Sequence, residues 1–208
     1  MTDHNALIAT LSRRASPVKR THPAGWRVLA FLTMALPCGA IASLLVRRPV
    51  TDWLQPGMAW ALFQLFIIFI AGTLAIRNAF LISIPGRRAL SWKGFIPLAL
   101  LWLGSILINM RGLKPATSQV EGTNCYLFML VVSVPMIVIM IGYLRQTRTL
   151  FPVRSLTAAG AGTACMALVL LSLCHPIHLN LLDFAQHLLA AATIVLVTII
   201  SGWRWVRV

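Results

Sequence analysis

The residues of this chain that could do chemistry are thiols and imidazoles placed around two neighbouring hydrophobic segments. Cys125 opens one of these segments, and Cys174 closes the next. Beyond Cys174 the chain continues with His175, His178, Asp183 and His187. Thiolates and imidazoles suit thiophilic and transition metals, so the two cysteines and three histidines form a candidate metal site. Asp183 precedes His187 by four residues, a helical spacing at which its carboxylate could orient the imidazole.

Three roles remain open for Cys125 and Cys174. In an oxidising compartment such a pair favours a structural disulfide. The same pair could instead act as a reversible thiol or metal sensor, or have no special role. The spacing does not decide among them, because the chain has no Cys-x-x-Cys motif. Cys38 and Cys165 lie inside hydrophobic segments, where cysteine usually packs as a small apolar side chain.

The sequence carries no recognisable catalytic signature. Its four acidic residues are Asp3, Asp52, Glu121 and Asp183. They are too few and too scattered for catalysis by paired carboxylates, and neither a Gly-x-Ser-x-Gly elbow nor a His-Glu-x-x-His motif occurs. We therefore predict a protein that is not an enzyme and needs no obligatory cofactor, with a transition or heavy metal ion as a possible signal.

Composition predicts the kind of secondary structure on which these residues lie. Hydrophobic residues make up 59% of the 208-residue chain and charged residues 11%, against roughly 25% charged in soluble domains. Six stretches approach the ~20 residues that cross ~30 Å of hydrocarbon: 26–46, 57–76, 94–110, 125–144, 155–174 and 184–203. We predict an all-α polytopic membrane protein, with a bundle of six transmembrane helices and short loops over residues 26–208.

Basic residues predict the orientation of this bundle. Fourteen of the 18 lysines and arginines flank one side of the six spans, and four flank the other. Because cytoplasmic loops are enriched in basic residues, and an even number of spans keeps both ends together, we expect both termini in the cytoplasm. The net charge of +14 is then a topology signal and does not predict direct binding to nucleic acid.

The middle thirds of the spans contain no Asp, Glu, Lys or Arg. A transporter or channel for a metal or small solute usually needs polar or ionisable groups at depth. This composition argues against transport, which remains the alternative function. Span 155–174 also has small residues at four-residue spacing, Ala158 with Gly162 and Gly160 with Ala164, which predicts close helix packing within one protomer or between two.

Residues 1–25 precede the first span as a cytoplasmic tail. Leu7, Ile8 and Leu11 would share one face of a short helix over residues 2–14, followed by Arg13 and Arg14. So short an amphipathic helix is marginal in water. We expect it either to lie on the membrane surface or to dock into a groove of a partner protein.

Taken in order, these features resemble the NrsF family of bacterial inner-membrane anti-sigma factors. The resemblance covers essentially the whole chain and rests on the six spans, the two outer-edge cysteines and a series of short sequences. These are Leu7-Ile8 through Pro17-Val18-Lys19-Arg20, Pro23, Trp26-Arg27, Pro85-Gly86-Arg87, Cys125, Pro135, Pro152, the small-residue opening of span 155–174, Cys174-His175 and His187.

The resemblance implies a one-component switch in the bacterial inner membrane. The tail would hold an extracytoplasmic-function sigma factor away from RNA polymerase, and metal or oxidative stress at two periplasmic-side cysteines would release it. Those cysteines correspond to Cys125 and Cys174. In this picture Leu7, Ile8 and Leu11 dock into the sigma factor while Arg13 and Arg14 meet acidic residues at the rim of its groove.

Overall fold

The computed structural model describes residues 4–14, 21–46, 58–111, 125–174 and 181–207. Within these ranges the chain forms seven α-helices and a 3-10 turn at Trp92–Phe95. The helices are α1 His4–Arg14, α2 Ala24–Ser43, α3 Met58–Ile82, α4 Ile96–Arg111, α5 Cys125–Arg145, α6 Pro152–Ser172 and α7 Leu181–Val206. The all-α fold class is confirmed, since the described residues contain no β-strand beyond an isolated bridge between Thr149 and Arg207.

In the described ranges, five helices are long and apolar enough to cross a membrane. They are α2, α3, α5, α6 and the part of α7 from Asp183 to Val206. The remaining predicted span, 94–110, corresponds to a shorter apolar helix over Trp92–Ile108. Each of the six predicted segments is thus helical, and these apolar helices are those of a membrane-spanning protein.

The core of the bundle is built around α6. At two glycines the backbone of α6 lies very close to α3 and to α7. A Cβ atom on Gly162 would stand 2.5 Å from Ile76 Cγ1 and 3.1 Å from the carbonyl oxygen of Gly72 on α3. A Cβ atom on Gly160 would stand 2.8 Å from Val195 Cα on α7. Small side chains allow such contacts, which strengthen van der Waals packing between helices in lipid. The predicted small-residue packing is therefore confirmed, and it lies within one protomer.

The second layer is the antiparallel pair α2 and α5. Gly39 on α2 faces Val132 and Met136 on α5, with a Cβ atom at Gly39 only 2.6 Å from Met136 Cε. The two helices join the same buried apolar cluster, to which Phe31 of α2 and Met129 of α5 belong. From α2 to α7 the helices alternate in direction, so the bundle has two ends with different chemistry.

One end, here called the arginine end, contains the start of α2, the ends of α3, α5 and α7, and the start of α6. Polar side chains connect these termini. Thr147 donates to Ser83 Oγ over 3.0 Å, and Ser155 donates to the carbonyl oxygen of Ala79 over 3.1 Å. The Thr149 amide donates to the carbonyl oxygen of Val206 over 2.9 Å. The opposite end, here called the cysteine end, contains Cys125 at the start of α5 and the start of α7.

Replacing Gly162 with alanine tests the close approach of α6 and α3. The new Cβ atom would meet Ile76 Cγ1 at 2.5 Å and Ile76 N at 3.0 Å, so the helices must separate. We expect Gly162→Ala to lower the stability by about 1–3 kcal/mol, the usual range for overpacking. Thermal unfolding in detergent measures this difference.

Gly142→Ala provides the matched control, because nothing lies within 4 Å of a Cβ atom at that position. Alanine also favours helix over glycine, so this variant should be as stable as the wild type or slightly more stable. Equal melting temperatures for Gly162→Ala and Gly142→Ala would contradict the assigned packing.

Candidate functional site

Cys125 and Cys174 lie at the cysteine end of the bundle, as predicted from the sequence. Cys125 is the first residue of α5 and is 0% exposed. Cys174 follows the end of α6, where its amide donates to the carbonyl oxygen of Leu171 over 2.9 Å. Cys125 belongs to the buried apolar cluster and the half-buried Cys174 packs against that cluster. No disulfide joins any of the four cysteines, all of which are among the described residues.

The other predicted site residues divide into two groups. His187 is buried on α7, and Asp183 is half-buried one turn earlier on the same helix. Because Arg145 stacks on Trp205 and Tyr126 lies 3.2 Å from Thr193 Oγ1, α5 and α7 run parallel. The start of α7, including His187, therefore lies at the same end as Cys125. His175 and His178 fall outside the described residues.

No metal centre is assembled in the part of the chain that the structure describes. Within it, no group of three or more His, Cys, Asp and Glu side chains is arranged to hold a metal ion. The predicted ligands Cys125, Cys174 and His187 thus share one end of the bundle without forming a complete coordination shell there. The two remaining predicted ligands, His175 and His178, are not tested by this observation.

The two cysteines predicted to act as the sensor differ in burial. Cys125 is enclosed by apolar side chains, whereas Cys174 is partly accessible. Access to the sulfur therefore favours reaction at the more exposed Cys174. A metal ion or oxidant would therefore meet Cys174 first. Reaction at Cys125 would require the start of α5 to move away from its neighbours.

The predicted partner-binding residues lie on α1, which is exposed along its whole length in the described part of the chain. α1 buries none of its residues. Leu7, Ile8 and Leu11 are 57%, 62% and 60% exposed, and Arg13 and Arg14 are exposed in the last turn. The predicted helix is thus present, and its apolar stripe faces outward with basic residues beside it.

Sequence reasoning missed the role of Arg27. In the sequence it is one of the basic residues that mark topology, which are usually exposed, and one of the residues on which the family resemblance rests. In the structure Arg27 is buried in the first turn of α2, at 5% exposure. Its Nη2 donates to the carbonyl oxygen of Tyr143 over 3.1 Å and to Thr147 Oγ1 over 3.3 Å. The guanidinium also lies over the Phe80 ring, 4.4 Å from its centroid.

These contacts place Arg27 at the junction of the tail and the bundle. It is separated from α1 only by the linker that ends at Pro23, the residue before α2. Its acceptors are on the last turn of α5 and immediately after it, and its aromatic partner is on α3. The only sequence signal for this role was the position of the arginine directly after Trp26 at the start of a span.

Comparisons with models of known protein families, with curated proteins and with solved structures found no match. The function proposed below therefore rests on the geometry of the chain itself. That geometry consists of a cysteine end, an exposed amphipathic helix, and a single helix, α5, whose two termini lie at the cysteine end and at Arg27.

The difference in burial predicts different reactivities for the two cysteines. In variants that each retain one cysteine, we expect a water-soluble maleimide to modify Cys174 at least about tenfold faster than Cys125. This factor corresponds to an opening free energy of about 1.4 kcal/mol for the buried thiol. Labelling time courses in detergent, resolved by mass spectrometry, measure both rates.

Unfolding in sodium dodecyl sulfate supplies the control, since both thiols should then react equally. If the two cysteines react at the same rate in the folded protein, Cys125 is not enclosed as described and the order of reaction proposed above is wrong.

Proposed function

We propose that this protein is a membrane anti-sigma factor that holds an extracytoplasmic-function sigma factor through α1 and releases it under metal or oxidative stress. The observation that carries the proposal is the position of α5. This helix begins at the proposed sensor Cys125. Its last turn contains Tyr143 and it is followed by Thr147, the two residues that accept hydrogen bonds from Arg27 at the base of the tail. The resemblance to the NrsF family supports the same assignment.

The proposed topology is six spans in the inner membrane, with both termini in the cytoplasm. The 3-10 turn and α4 together cover Trp92–Arg111, long enough at about 1.5–2 Å per residue to cross ~30 Å of hydrocarbon. With this sixth crossing, α1 and the end of α7 lie on one side. That side carries the basic residues of the arginine end, as the positive-inside rule requires.

The exposed stripe of α1 supports capture of a protein partner. Leu7, Ile8 and Leu11 present apolar surface that no other described element covers. An amphipathic helix of this kind binds by laying its apolar face into a groove, and Arg13 and Arg14 would favour an acidic rim. Under this proposal DNA is controlled only through the sigma factor, and the protein makes no direct contact with nucleic acid.

Coupling between stimulus and tail would run along α5. With 21 residues, it spans about 30 Å at 1.5 Å per residue. Metal binding or oxidation that draws Cys125 toward Cys174 would displace the start of α5 and, because the helix is rigid, its other end as well. A ligand shifts the equilibrium between two packing arrangements of the helices only if it binds one arrangement more tightly than the other. A tenfold release of sigma factor requires only about 1.4 kcal/mol of coupling.

A cavity between α3, α4 and α6 bears on the alternative function of a transporter or channel. Its volume is about 260 Å³, and Asn78 contributes the only side-chain amide among apolar and aromatic lining residues. A path for a metal ion or polar solute needs more polar groups at depth. The described part of the bundle therefore favours a sensor over a transporter.

Disrupting the apolar face of α1 tests the capture of a sigma factor. Leu7→Asp combined with Leu11→Asp places two charges on the proposed docking face, so co-purification of the sigma factor from the host should fall at least about tenfold. Membrane insertion should be unchanged, because α1 buries no residue. Quantitative mass spectrometry of the purified complex gives both results.

The matched control is Asn5→Asp combined with Ala9→Asp, which adds the same charges at the same spacing on the opposite face of α1. This variant should retain the sigma factor. Equal retention by the two double variants would show that the apolar face of α1 does not hold the partner.

Serine substitutions at the cysteine end test the sensor. Cys125→Ser and Cys174→Ser remove a thiolate that serves as metal ligand or redox group. We expect each variant to hold the sigma factor at rest and to lose induction by metal or oxidant. A transcriptional reporter for the released sigma factor measures the response.

Cys38→Ser is the control, because Cys38 is an exposed cysteine of α2 that is not part of the proposed sensor pair. It should respond as the wild type does. Full induction in a Cys125→Ser/Cys174→Ser double variant would exclude these two residues as the sensor.

A further inference from the structure

Arg27 is a buried cation for which the described residues provide no acidic partner. Of the four acidic residues in the chain, only Asp183 lies within the described ranges, at the opposite end of the bundle. Among the described residues, Arg27 contacts two neutral oxygens and an aromatic ring, and its Nη1 finds no hydrogen-bond partner. A buried charge is costly unless it is paired, so this guanidinium is suited to receive an anion.

A cavity of about 400 Å³ is lined in part by Arg27. Its lining consists of Thr21, His22, Trp26, Arg27, Ala30, Tyr143, Gln146 and Thr147. The lining residues carry hydroxyl, imidazole, amide and guanidinium groups, and none of the described lining residues is acidic. The volume exceeds what a single carboxylate would fill. Several donors around one arginine match the many acceptor oxygens of a phosphate group.

The position of the cavity matches the depth of lipid headgroups. Trp26 is 58% exposed beside it, and aromatic side chains are enriched at the membrane–water interface. Arg145 lies at the end of α5, one residue before Gln146 of the lining. The cavity is therefore at the arginine end, where phosphate groups of lipids and phosphate from solution both have access.

We infer that this cavity is a binding site for a phosphate group, supplied either by the headgroup of an anionic phospholipid or by phosphate in solution. The bound phosphate completes the pairing of Arg27 and bridges the linker before α2 to the end of α5. This site does not depend on the capture of a sigma factor. It requires only the residues that form the cavity.

Thermal unfolding of the full-length protein in a neutral detergent tests the site. The additions are inorganic phosphate, the soluble anionic lipid dihexanoyl-phosphatidylglycerol, and sodium chloride at matched ionic strength. At about ten times the dissociation constant, a ligand of the native state should raise the melting temperature by roughly 3–6 °C above the chloride sample. Stabilisation by both additions indicates a site open to either source, and stabilisation by only one identifies its source.

Two variants assign the effect to the cavity. Arg27→Gln should abolish the stabilisation by phosphate or lipid, whereas Arg145→Gln, which alters an arginine stacked on Trp205 outside the lining, should retain it. Gln146→Glu is a second variant, to be used if Arg27→Gln does not fold. Because Gln146 is exposed, this substitution should leave the fold intact. Its carboxylate would occupy the site, repel phosphate and remove the response while leaving the protein folded.

Two results would overturn the inference. One is a wild-type melting temperature that neither phosphate nor the lipid raises above the chloride sample. The other is a response that persists undiminished in Gln146→Glu. Neither result bears on the sigma factor, whose co-purification tests the proposed function separately.

Discussion

At Gly160 and Gly162 the backbone of α6 comes so close to α7 and α3 that added Cβ atoms would stand 2.8 Å from Val195 Cα and 2.5 Å from Ile76 Cγ1. These contacts make α6 the central helix. Hydrophobic burial drives helix association weakly in lipid, so close packing of this kind has to stabilise the bundle. With α3, α6 and α7 held together, α2 and α5 pack as a second layer, and their termini acquire fixed positions.

Arg27 is the clearest consequence of that arrangement. Its guanidinium is held between Phe80 of α3 and the acceptors at the end of α5, three elements that only the assembled bundle brings together. The same residue begins the bundle after the tail, and α5 begins at Cys125. Under the proposed function, one rigid helix and one buried cation would thus connect a stimulus at the cysteine end with a partner on α1. In the proposed switch, this connection would transmit a structural change from the cysteine end to the tail.

The helices could be predicted from the sequence because the length and apolar composition of each segment are local properties. All six apolar segments are helical, and α5 begins at Cys125 as expected. α3 extends beyond the predicted end at residue 76 to Ile82, where Asn78 accepts from the Leu90 amide over 2.8 Å. The burial of Arg27 could not be predicted, because it depends on Phe80 and Tyr143, which are distant in sequence. Nor could a sequence pattern tell which helices the small residues of α6 would contact.

We propose that α1 holds a sigma factor and that stress at the cysteine end releases it. The most direct test is to purify the full-length protein from its host, with and without brief exposure to a thiol oxidant or a heavy metal, and to identify the bound proteins by mass spectrometry. The account predicts an extracytoplasmic-function sigma factor in the unstressed sample and at least about tenfold less after exposure, equivalent to about 1.4 kcal/mol of coupling. Absence of any sigma factor from the unstressed sample would contradict it.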